Sequence, residues 1–270
     1  MADRPFLARR ERFDRVGSTN DVVRGWLAEG TPEVCLAIAD EQTDGRGREG
    51  RRWVAPPGAA LLLSLGFRPV WLSPPEAWQL GALTSMAMAE AAEIESGLPS
   101  GTIRLKWPND LVVAGGADGE LRKIAGVLGE TEGLGTREPR VVVGIGLNVD
   151  WDAADFPPEL AATMTSLSEV SGTRVDRGRL VEQFLDRLEA RLQGLRNGRY
   201  DGLGWTVRQA TTGRTIRLET PAGPEDVRAI GVDVVSGALV VEDHAAAGGE
   251  RRILAGEITH VRLATPSNVV

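Results

Sequence analysis

The sequence is poor in the side chains that most often perform chemistry in proteins. Its 270 residues include one cysteine, Cys35, and two histidines, His244 and His260. One cysteine excludes an internal disulfide framework and any multi-cysteine metal site. Cys35 lies in an apolar run, which predicts a buried and inert thiol. Because no histidine precedes position 244, the sequence disfavours histidine-based catalysis over most of the chain.

Lysine is also nearly absent. Of the 31 lysine and arginine residues only two are lysines, Lys106 and Lys123. Lysine supplies a compact ammonium where arginine supplies a planar fork, so these two positions are candidates for a site that needs an ammonium. A general bias toward arginine is the simpler explanation of the scarcity itself.

Long apolar runs and a basic charge balance are missing as well. No stretch approaches the roughly 18 uninterrupted apolar residues that span a bilayer, and the N-terminal segment lacks the apolar core of a signal peptide. The net charge of −7 argues against a general nucleic-acid binder. We therefore expect a packed cytoplasmic protein that binds neither nucleic acid nor membrane.

The apolar patterning predicts long strands mixed with a few helices. Helices are expected at 21–30, from Pro74 to about residue 97, and at 176–196, where Leu180, Phe184, Leu188 and Leu192 form a core stripe. Strands are expected at 10–16, 34–40, 58–67, 103–113 in two pieces, 123–132 and 140–150, with a hairpin-type connection at 115–122. This mixture indicates an α+β or α/β sheet domain.

The pattern changes near residue 205. From Arg208 onward the sequence contains only short β-like pieces separated by glycine, proline and aspartate turns. We predict a large main domain over 1–204 and a small barrel-like β domain over 205–270, with the boundary between Tyr200 and Arg208.

The most unusual segment is a glycine- and arginine-rich stretch that ends at Trp53. It contains Gly45, Gly47, Gly50, Arg46, Arg48, Arg51 and Arg52. A solvated basic loop is the ordinary interpretation, but glycines permit close backbone approach and arginines bind phosphate or carboxylate, which favours a functional one. The stretch is not a phosphate-binding P-loop, and Gly144-Ile145-Gly146 lacks the third glycine of a dinucleotide fingerprint.

Four other short motifs have both an ordinary and a functional interpretation. Gly17-Ser18-Thr19-Asn20 is either a helix N-cap or a hydroxyl-rich ligand contact. The stretch 106–110, KWPND, is either a turn or a group of polar side chains suited to adenine, phosphate or Mg²⁺. Lys123 either reaches to water or points at an acyl or phosphoryl group. Asn148, in the stretch 144–148, either ends a bulged strand or places an amide at the floor of a site.

Taken together and in this order, these motifs resemble those of the biotin–protein ligase family. The matching residues are Ser18, Thr19, Asn20, Gln42, Gly45, Arg46, Gly47, Arg48, Gly50, Arg51, Trp53 and the stretches 106–110, 123–126 and 144–148. The resemblance is strong over residues 13–150 and only general beyond them. Each motif alone is weak, whereas the set is highly specific.

The resemblance implies a fold and a reaction. The fold is a mixed-sheet catalytic domain related to class II aminoacyl-tRNA synthetases, followed by a small SH3-like β-barrel. Biotin and MgATP would give biotinyl-5′-AMP and pyrophosphate, and a lysine of a biotin carboxyl carrier protein would then take the biotinyl group and release AMP. Both biotin and ATP are substrates here, and no tightly bound cofactor is expected.

The resemblance also implies roles for individual residues. Ser18, Thr19, Asn20 and Gln42 would contact the ureido end of biotin, and the loop with Gly45, Arg46, Gly47 and Arg48 would close over biotin and adenylate. Lys123 and Arg48 would be catalytic, and Asn109 would contact the adenylate phosphate region. Trp53 would wall the adenine. Gly126 and Asn148 complete the expected substrate site; Asp110 is a candidate Mg²⁺ contact, but no metal ligand set is predicted.

Some features depart from the family pattern. Glu49 stands where a basic or polar residue is common, and the connection from Asp110 to Lys123 is longer than usual. Only about a dozen residues precede the first strand, so we expect a monofunctional ligase without the DNA-binding domain of repressor-type members. Family members are commonly dimers, which leaves a homodimer open.

Three other functions fit the sequence less well. A lipoate or octanoate ligase has a related fold, and the Gly/Arg stretch together with Gln42 favours biotin over it. A small-molecule-binding regulator would need a DNA-binding segment, and none is visible. A scaffold protein would not need both lysines inside glycine-flanked motifs.

Overall fold

The computed structural model describes residues 4–115, 120–220, 223–243, 246, 248–255 and 260–263. The middle of the hairpin-type connection expected at 115–122 and His244 lie outside the described residues. Two β-sheets and six α-helices make up the described part, and the strand positions expected from the sequence are confirmed to within a few residues.

The larger sheet has seven strands in the order β1-β2-β3-β7-β6-β5-β4. Only β1 and β2 are parallel, because helix α1 crosses between them, and every other neighbouring pair is antiparallel. The strands are β1 (Arg9–Val16), β2 (Cys35–Gln42), β3 (Ala60–Phe67), β4 (Arg104–Lys106), β5 (Asp110–Gly115), β6 (Glu120–Glu132) and β7 (Arg140–Asn148).

The helices are α1 (Thr19–Ala28), α2 (Trp78–Glu95), α3 (Pro158–Ala161), α4 (Leu167–Ser171), α5 (Arg177–Arg196) and α6 (Gly202–Val207). The sequence did not indicate α3, α4 or α6, and α6 lies across the predicted division at residues 204 and 205. Helix α2 begins after a short 3₁₀ turn, Pro74–Glu76, and α1 begins two residues earlier than expected. Proline fixes φ and lacks an N–H, which suits the first turn of a helix.

The two faces of the large sheet carry different layers. Helices α2 and α5 pack together over one face and build the main core, and the stripe predicted on α5 is buried there. Helix α1 packs on the opposite face, against β2, β3 and β7. Because side chains alternate along a strand, Ile145 and Leu147 face the main core while Gly144 and Gly146 face the side of α1.

The second sheet is small and antiparallel, with the strand order β11-β10-β9-β8-β12. Within the described residues its outer strands do not pair with each other, so the barrel predicted from the sequence is observed as an antiparallel sheet. Its strands are β8 (Thr215–Thr220), β9 (Gly223–Val232), β10 (Leu239–Glu242), β11 (Glu250–Ile253) and β12 (His260–Leu263).

The chain that leads to the second sheet covers the β4 edge of the first. Leu105 N donates to Arg208 O at 2.9 Å, and Ala210 N donates to Leu105 O at 2.7 Å. The Trp107 indole N–H donates to Gly237 O, in the β9–β10 turn, at 2.9 Å. The strand that carries Lys106 is therefore held between the two sheets.

Candidate functional site

A shallow floor lies on the α1 side of the large sheet, where the neighbouring strands β6 and β7 carry glycine. Gly126 of β6 pairs with Gly146 of β7, and Gly144 pairs with Ser64 of β3. The Trp53 ring lies against this floor, 3.1 Å from the position a Cβ would take at Gly126, and a Cβ at Gly146 would overlap the ring. The glycines are thus required for another group to approach the sheet closely.

Four buried or half-buried side chains form what we call the polar wall at one end of this floor: Thr19, Asn20, Gln42 and Ser64. Ser64 Oγ donates to Asn20 Oδ1 at 2.5 Å, and the Thr19 hydroxyl lies 2.7 Å from Ser64 Oγ. Gln42 Oε1 accepts from Thr19 N at 2.7 Å and lies 2.9 Å from the Thr19 hydroxyl. Each side chain is therefore oriented by its neighbours before any ligand arrives.

The predicted contacts at the start of α1 lie together at this wall. Ser18 is a buried residue at the N-cap position, and its side chain makes no capping hydrogen bond to the helix. Asn20 Nδ2 donates to Glu130 Oε2 at 2.5 Å. Sequence reasoning missed Ser64 and Glu130. Ser64 was detectable as the single polar residue in the apolar run of β3, whereas nothing local marks Glu130.

The Gly/Arg loop, which we define as residues 44–53, is closed on itself. Trp53 N donates to Gly45 O at 2.8 Å, and Gly47 N donates to Arg51 O at 2.6 Å. A Cβ at Gly45 would overlap the carbonyl oxygen of Trp53, so the loop can close only with glycine there. The Trp53 indole N–H is buried without a hydrogen-bond partner among the described residues.

Arg46 and Arg48 connect the loop to distant parts of the chain. Arg46 forms a bidentate pair with Asp21 of α1, at 2.7 and 2.6 Å, and its hydrogen bond is the main cause that lowers the pKa of Asp21. Arg48 Nη2 donates to Ala255 O at 2.6 Å, which ties the loop to the C-terminal part of the chain. Burial lowers the pKa of the Arg48 guanidinium.

Both lysines of the chain meet at one carboxylate beside the floor, an arrangement that we call the lysine pair. Lys123 Nζ lies 2.6 Å from Asp110 Oδ1, and Lys106 Nζ lies 3.4 Å from Asp110 Oδ2. Burial alone would raise the pKa of Asp110, but the ammonium groups of Lys123 and Lys106 outweigh it and hold that pKa below its usual range. Burial lowers the pKa of Lys106.

Two predicted site amides support the backbone around the lysine pair. Asn148 is fully buried, and its Nδ2 donates to Thr165 O at 3.0 Å, while Thr165 N donates to Lys123 O at 3.0 Å. Asn109 Nδ2 donates to Val127 O at 2.9 Å. In this structure both amides therefore hold strands in place instead of pointing freely into the site.

The described residues hold no group of three or more histidine, cysteine, aspartate or glutamate side chains that could bind a metal ion. Both oxygens of Asp110, the candidate Mg²⁺ contact, face an ammonium, which leaves little negative charge for a cation. In the part of the chain that the structure covers, no helix combines the length and apolar character needed to cross a membrane.

Known proteins resemble this chain in sequence. A model of the Biotin/lipoate A/B protein ligase family matches residues 12–148. A biotin–[acetyl-CoA-carboxylase] ligase of Mycobacterium tuberculosis is 33% identical over 252 residues, which cover 92% of this chain and 87% of the relative. Its counterpart in Paracoccus denitrificans is 34% identical and covers 86% of this chain and 92% of the relative.

The fold has a solved counterpart. A biotin protein ligase from Aquifex aeolicus in complex with biotin and ATP superposes with a TM-score of 0.76 at 24% identity, covering 95% of this chain and 99% of the other. The chain therefore has the fold of that ligase, and it belongs to the Biotin/lipoate A/B protein ligase family. Within that family, the two curated relatives described above are both biotin ligases.

Proposed function

We propose that this chain is an ATP-dependent biotin–protein ligase. It activates biotin as biotinyl-5′-AMP with release of pyrophosphate, and then transfers the biotinyl group to a lysine of a biotin carboxyl carrier protein with release of AMP. The observation that carries the proposal is the placement of the polar wall and the lysine pair around one glycine floor. Hydrogen-bonding groups for a ureido ring and cations for an acyl phosphate thereby share one surface.

The polar wall suits the ureido end of biotin. That ring has two N–H donors and one carbonyl acceptor, and a buried ligand needs partners for all three. Ser18 offers a hydroxyl that does not cap the helix, and Thr19, Asn20 and Gln42 offer further donors and acceptors. The carboxylate tail then lies along the glycine floor toward Lys123.

The first half-reaction takes place beside Lys123. A carboxylate oxygen attacks the α-phosphorus, the bond to the β-phosphate breaks, and pyrophosphate leaves. The Lys123 ammonium offsets the negative charge that builds up between carboxylate and phosphate. Such electrostatic stabilisation of the transition state is usually the largest single term in catalysis. In the second half-reaction the carrier amine attacks the acyl carbon, and AMP leaves.

The Gly/Arg loop would cover the adenylate. Arg46 and Arg48 would exchange their present partners for phosphate or carboxylate oxygens, and Gly45 and Gly47 permit the backbone to follow. Trp53 would leave the floor beside Gly126 and wall the adenine. Its unpaired indole N–H supports this, since an unsatisfied buried donor costs about 1–3 kcal/mol. Closure keeps water from the anhydride.

The reaction also involves a metal ion, a partner protein and a cellular location. Mg²⁺ enters with ATP as part of the substrate, ligated by phosphate oxygens and water, and no tightly bound cofactor takes part. Asn109 contacts the adenylate phosphate region once ligand is bound. We place the enzyme in the cytoplasm, with the carrier protein as its macromolecular partner, no nucleic acid or membrane partner, and a homodimer as the assembly to test.

Finer features of the fold belong to the same proposal. We infer that the large sheet with α2 and α5 is a catalytic domain of the class II aminoacyl-tRNA synthetase type, over residues 1–204. We infer that residues 205–270 form an SH3-like β-barrel. The antiparallel order of β8 to β12 supports the second inference.

An ATP–pyrophosphate exchange assay tests the function directly. It compares biotin, lipoate and octanoate on the wild type, on Lys123→Ala, and on Arg122→Ala as a control that removes the neighbouring cation of β6. We expect biotin-dependent exchange that falls at least ~1,000-fold in Lys123→Ala and stays close to wild type in the control. Exchange with lipoate alone would assign a lipoate ligase, and no exchange with any acid by folded protein would overturn the proposal.

A further inference from the structure

Asp110 is the meeting point of every lysine in the chain. Lys106 lies opposite Asp110 in the β4–β5 hairpin, and β6 brings Lys123 to the same carboxylate from the other side. The two ammonium groups contact different oxygens, Lys123 at 2.6 Å and Lys106 at 3.4 Å. The carboxylate is thus shared, with one cation on each oxygen.

This inference rests on the proposed function. If the chain forms biotinyl-5′-AMP, the arrangement solves a chemical problem. A mixed anhydride of a carboxylic acid and a phosphate acylates any neutral amine that reaches it. An ammonium has no lone pair and cannot attack. An enzyme that places a lysine beside such an anhydride must therefore keep that lysine protonated, or it will acylate itself.

We propose that Asp110 protects the enzyme from acylating its own lysines. By bridging the two ammonium groups, its carboxylate holds Lys106 in the charged form and Lys123 in place, and without it one of the two amines becomes an acceptor of the biotinyl group. The same contact orients Lys123 toward the reacting carboxylate. Asp110 is therefore a positioning residue for Lys123 and also prevents the acylation of Lys123.

The charges around Lys106 support this role. Burial lowers the pKa of Lys106, and the positive charges of Lys123 and Arg51 act in the same direction. Asp110 opposes all three through its charge and its hydrogen bond. Removing the carboxylate would leave two amines close together in a poorly solvated place, where at least one of them loses its proton.

The unwanted reaction is balanced without any further reagent. The amine lone pair attacks the acyl carbon of biotinyl-5′-AMP, and a C–N bond forms. The bond from that carbon to the phosphate oxygen breaks, AMP leaves with the electron pair, and the amine proton passes to water. The products are a biotinyl amide on the enzyme and AMP.

The test uses Asp110→Asn, with Asp110→Glu as the matched variant that keeps a carboxylate. Each protein receives synthetic biotinyl-5′-AMP without carrier protein, so the result does not depend on adenylate formation by the variant. Intact mass counts the adducts and peptide mapping locates them. The assignment is unambiguous because the chain offers two lysine side chains and one N-terminal amine.

We expect Asp110→Asn to be labelled at Lys106 or Lys123 at least tenfold faster than the wild type and Asp110→Glu. Adding Lys106→Arg or Lys123→Arg to Asp110→Asn identifies the acceptor by abolishing its adduct. A folded Asp110→Asn that binds biotinyl-5′-AMP and stays unlabelled at both lysines would overturn the proposal. Equal labelling of the wild type would overturn it too.

A second measurement on the wild type covers the case in which Asp110→Asn does not fold. The ¹³Cε resonances of the two lysines report their protonation directly by NMR. We expect the Lys106 resonance to be that of an ammonium at pH 8, and a neutral amine at Lys106 would sink the idea. Neither readout uses pyrophosphate exchange, so failure of this protective role is distinguishable from failure of the proposed ligase activity.

Discussion

The polar wall and the Gly/Arg loop border the same floor but are built in opposite ways. Thr19 and Asn20 of the wall are 3% and 5% exposed, and the hydrogen bonds among the wall's four side chains join neutral groups. In the loop, Arg46 keeps 30% of its side chain exposed and is held by a carboxylate on α1. One region is a fixed network, whereas the other is a set of exchangeable ionic contacts.

The difference teaches how one site can combine recognition with closure. A buried neutral network loses about 1–3 kcal/mol for each group left unpaired, so it keeps one geometry. An exposed ion pair contributes only about 0–1 kcal/mol, so the loop can trade it for a contact to phosphate at little cost. Asp21 thus offers Arg46 the same kind of bidentate partner that a ligand anion would offer.

Among changes to the wall and the loop, the largest effect is expected from one methyl group placed on the wall. In Gly144→Ala the new Cβ would overlap Asn20 Oδ1, and the buried network would have to rearrange. We expect biotin affinity to fall at least ~100-fold, the ~2.7 kcal/mol that displacing a buried hydrogen-bonded amide costs. Isothermal titration with biotin measures it. Gly129→Ala on β6 is the control, because nothing lies within 4 Å of its Cβ position. Equal affinities in both variants would contradict a preorganised wall.

A smaller loss is expected when the wall loses one hydroxyl. Ser64→Ala removes the group between Thr19 and Asn20 and leaves Asn20 Oδ1 without its donor. We expect biotin affinity to fall ~10-fold, about 1.4 kcal/mol, with an unchanged KM for ATP. Ser85→Ala, which removes a helix hydroxyl bonded to Gly81 O, should leave both unchanged. A Ser64→Ala effect on ATP alone would move Ser64 out of the biotin pocket.

The Gly/Arg loop is tested by removing the ion pair between Arg46 and Asp21. Asp21→Asn removes the anionic partner of Arg46 and should speed tryptic cleavage at the loop arginines about 3-fold without ligand, as expected for a pair worth under ~1 kcal/mol. Biotin affinity should not change. Asp14→Asn, the same substitution on exposed β1, is the control. An unchanged cleavage rate would show that the pair does not hold the loop.

The ion pair between Arg46 and Asp21 has a defined pH dependence. Because Arg46 lowers the pKa of Asp21, the stabilisation is fully present above the ordinary aspartate pKa of about 3.9 and is lost as the pH falls through the lower folded value. We therefore expect Asp21 to contribute no change in cleavage rate between pH 5 and 8. A sharp change within that interval would point to another group.

The sequence allowed most of the fold to be predicted, but only part of the site. Strands such as β3 and β7 are continuous apolar runs, so their positions follow from local pattern, whereas α6 is too short and mixed to stand out. Motifs identified Thr19, Gln42 and the two lysines. Their partners depend on strand register: Asn20 meets Glu130 from 110 residues away, and Lys123 meets Asp110 only because β6 pairs with β5.

The smallest effect is expected at the tip of the loop, where Glu49 adopts a left-handed conformation with φ 55° and ψ 38°. That conformation costs an L-residue roughly 1–2 kcal/mol, and glycine avoids it but loses more chain entropy on folding. We expect Glu49→Gly to raise the free energy of unfolding by no more than ~1 kcal/mol, measured by urea denaturation. Glu49→Gln keeps the conformation without the charge and should change nothing. A gain in Glu49→Gln equal to that in Glu49→Gly would assign the cost to charge instead of backbone. If only Glu49→Gly gains stability, the backbone strain in the loop costs less than one methyl group on the wall.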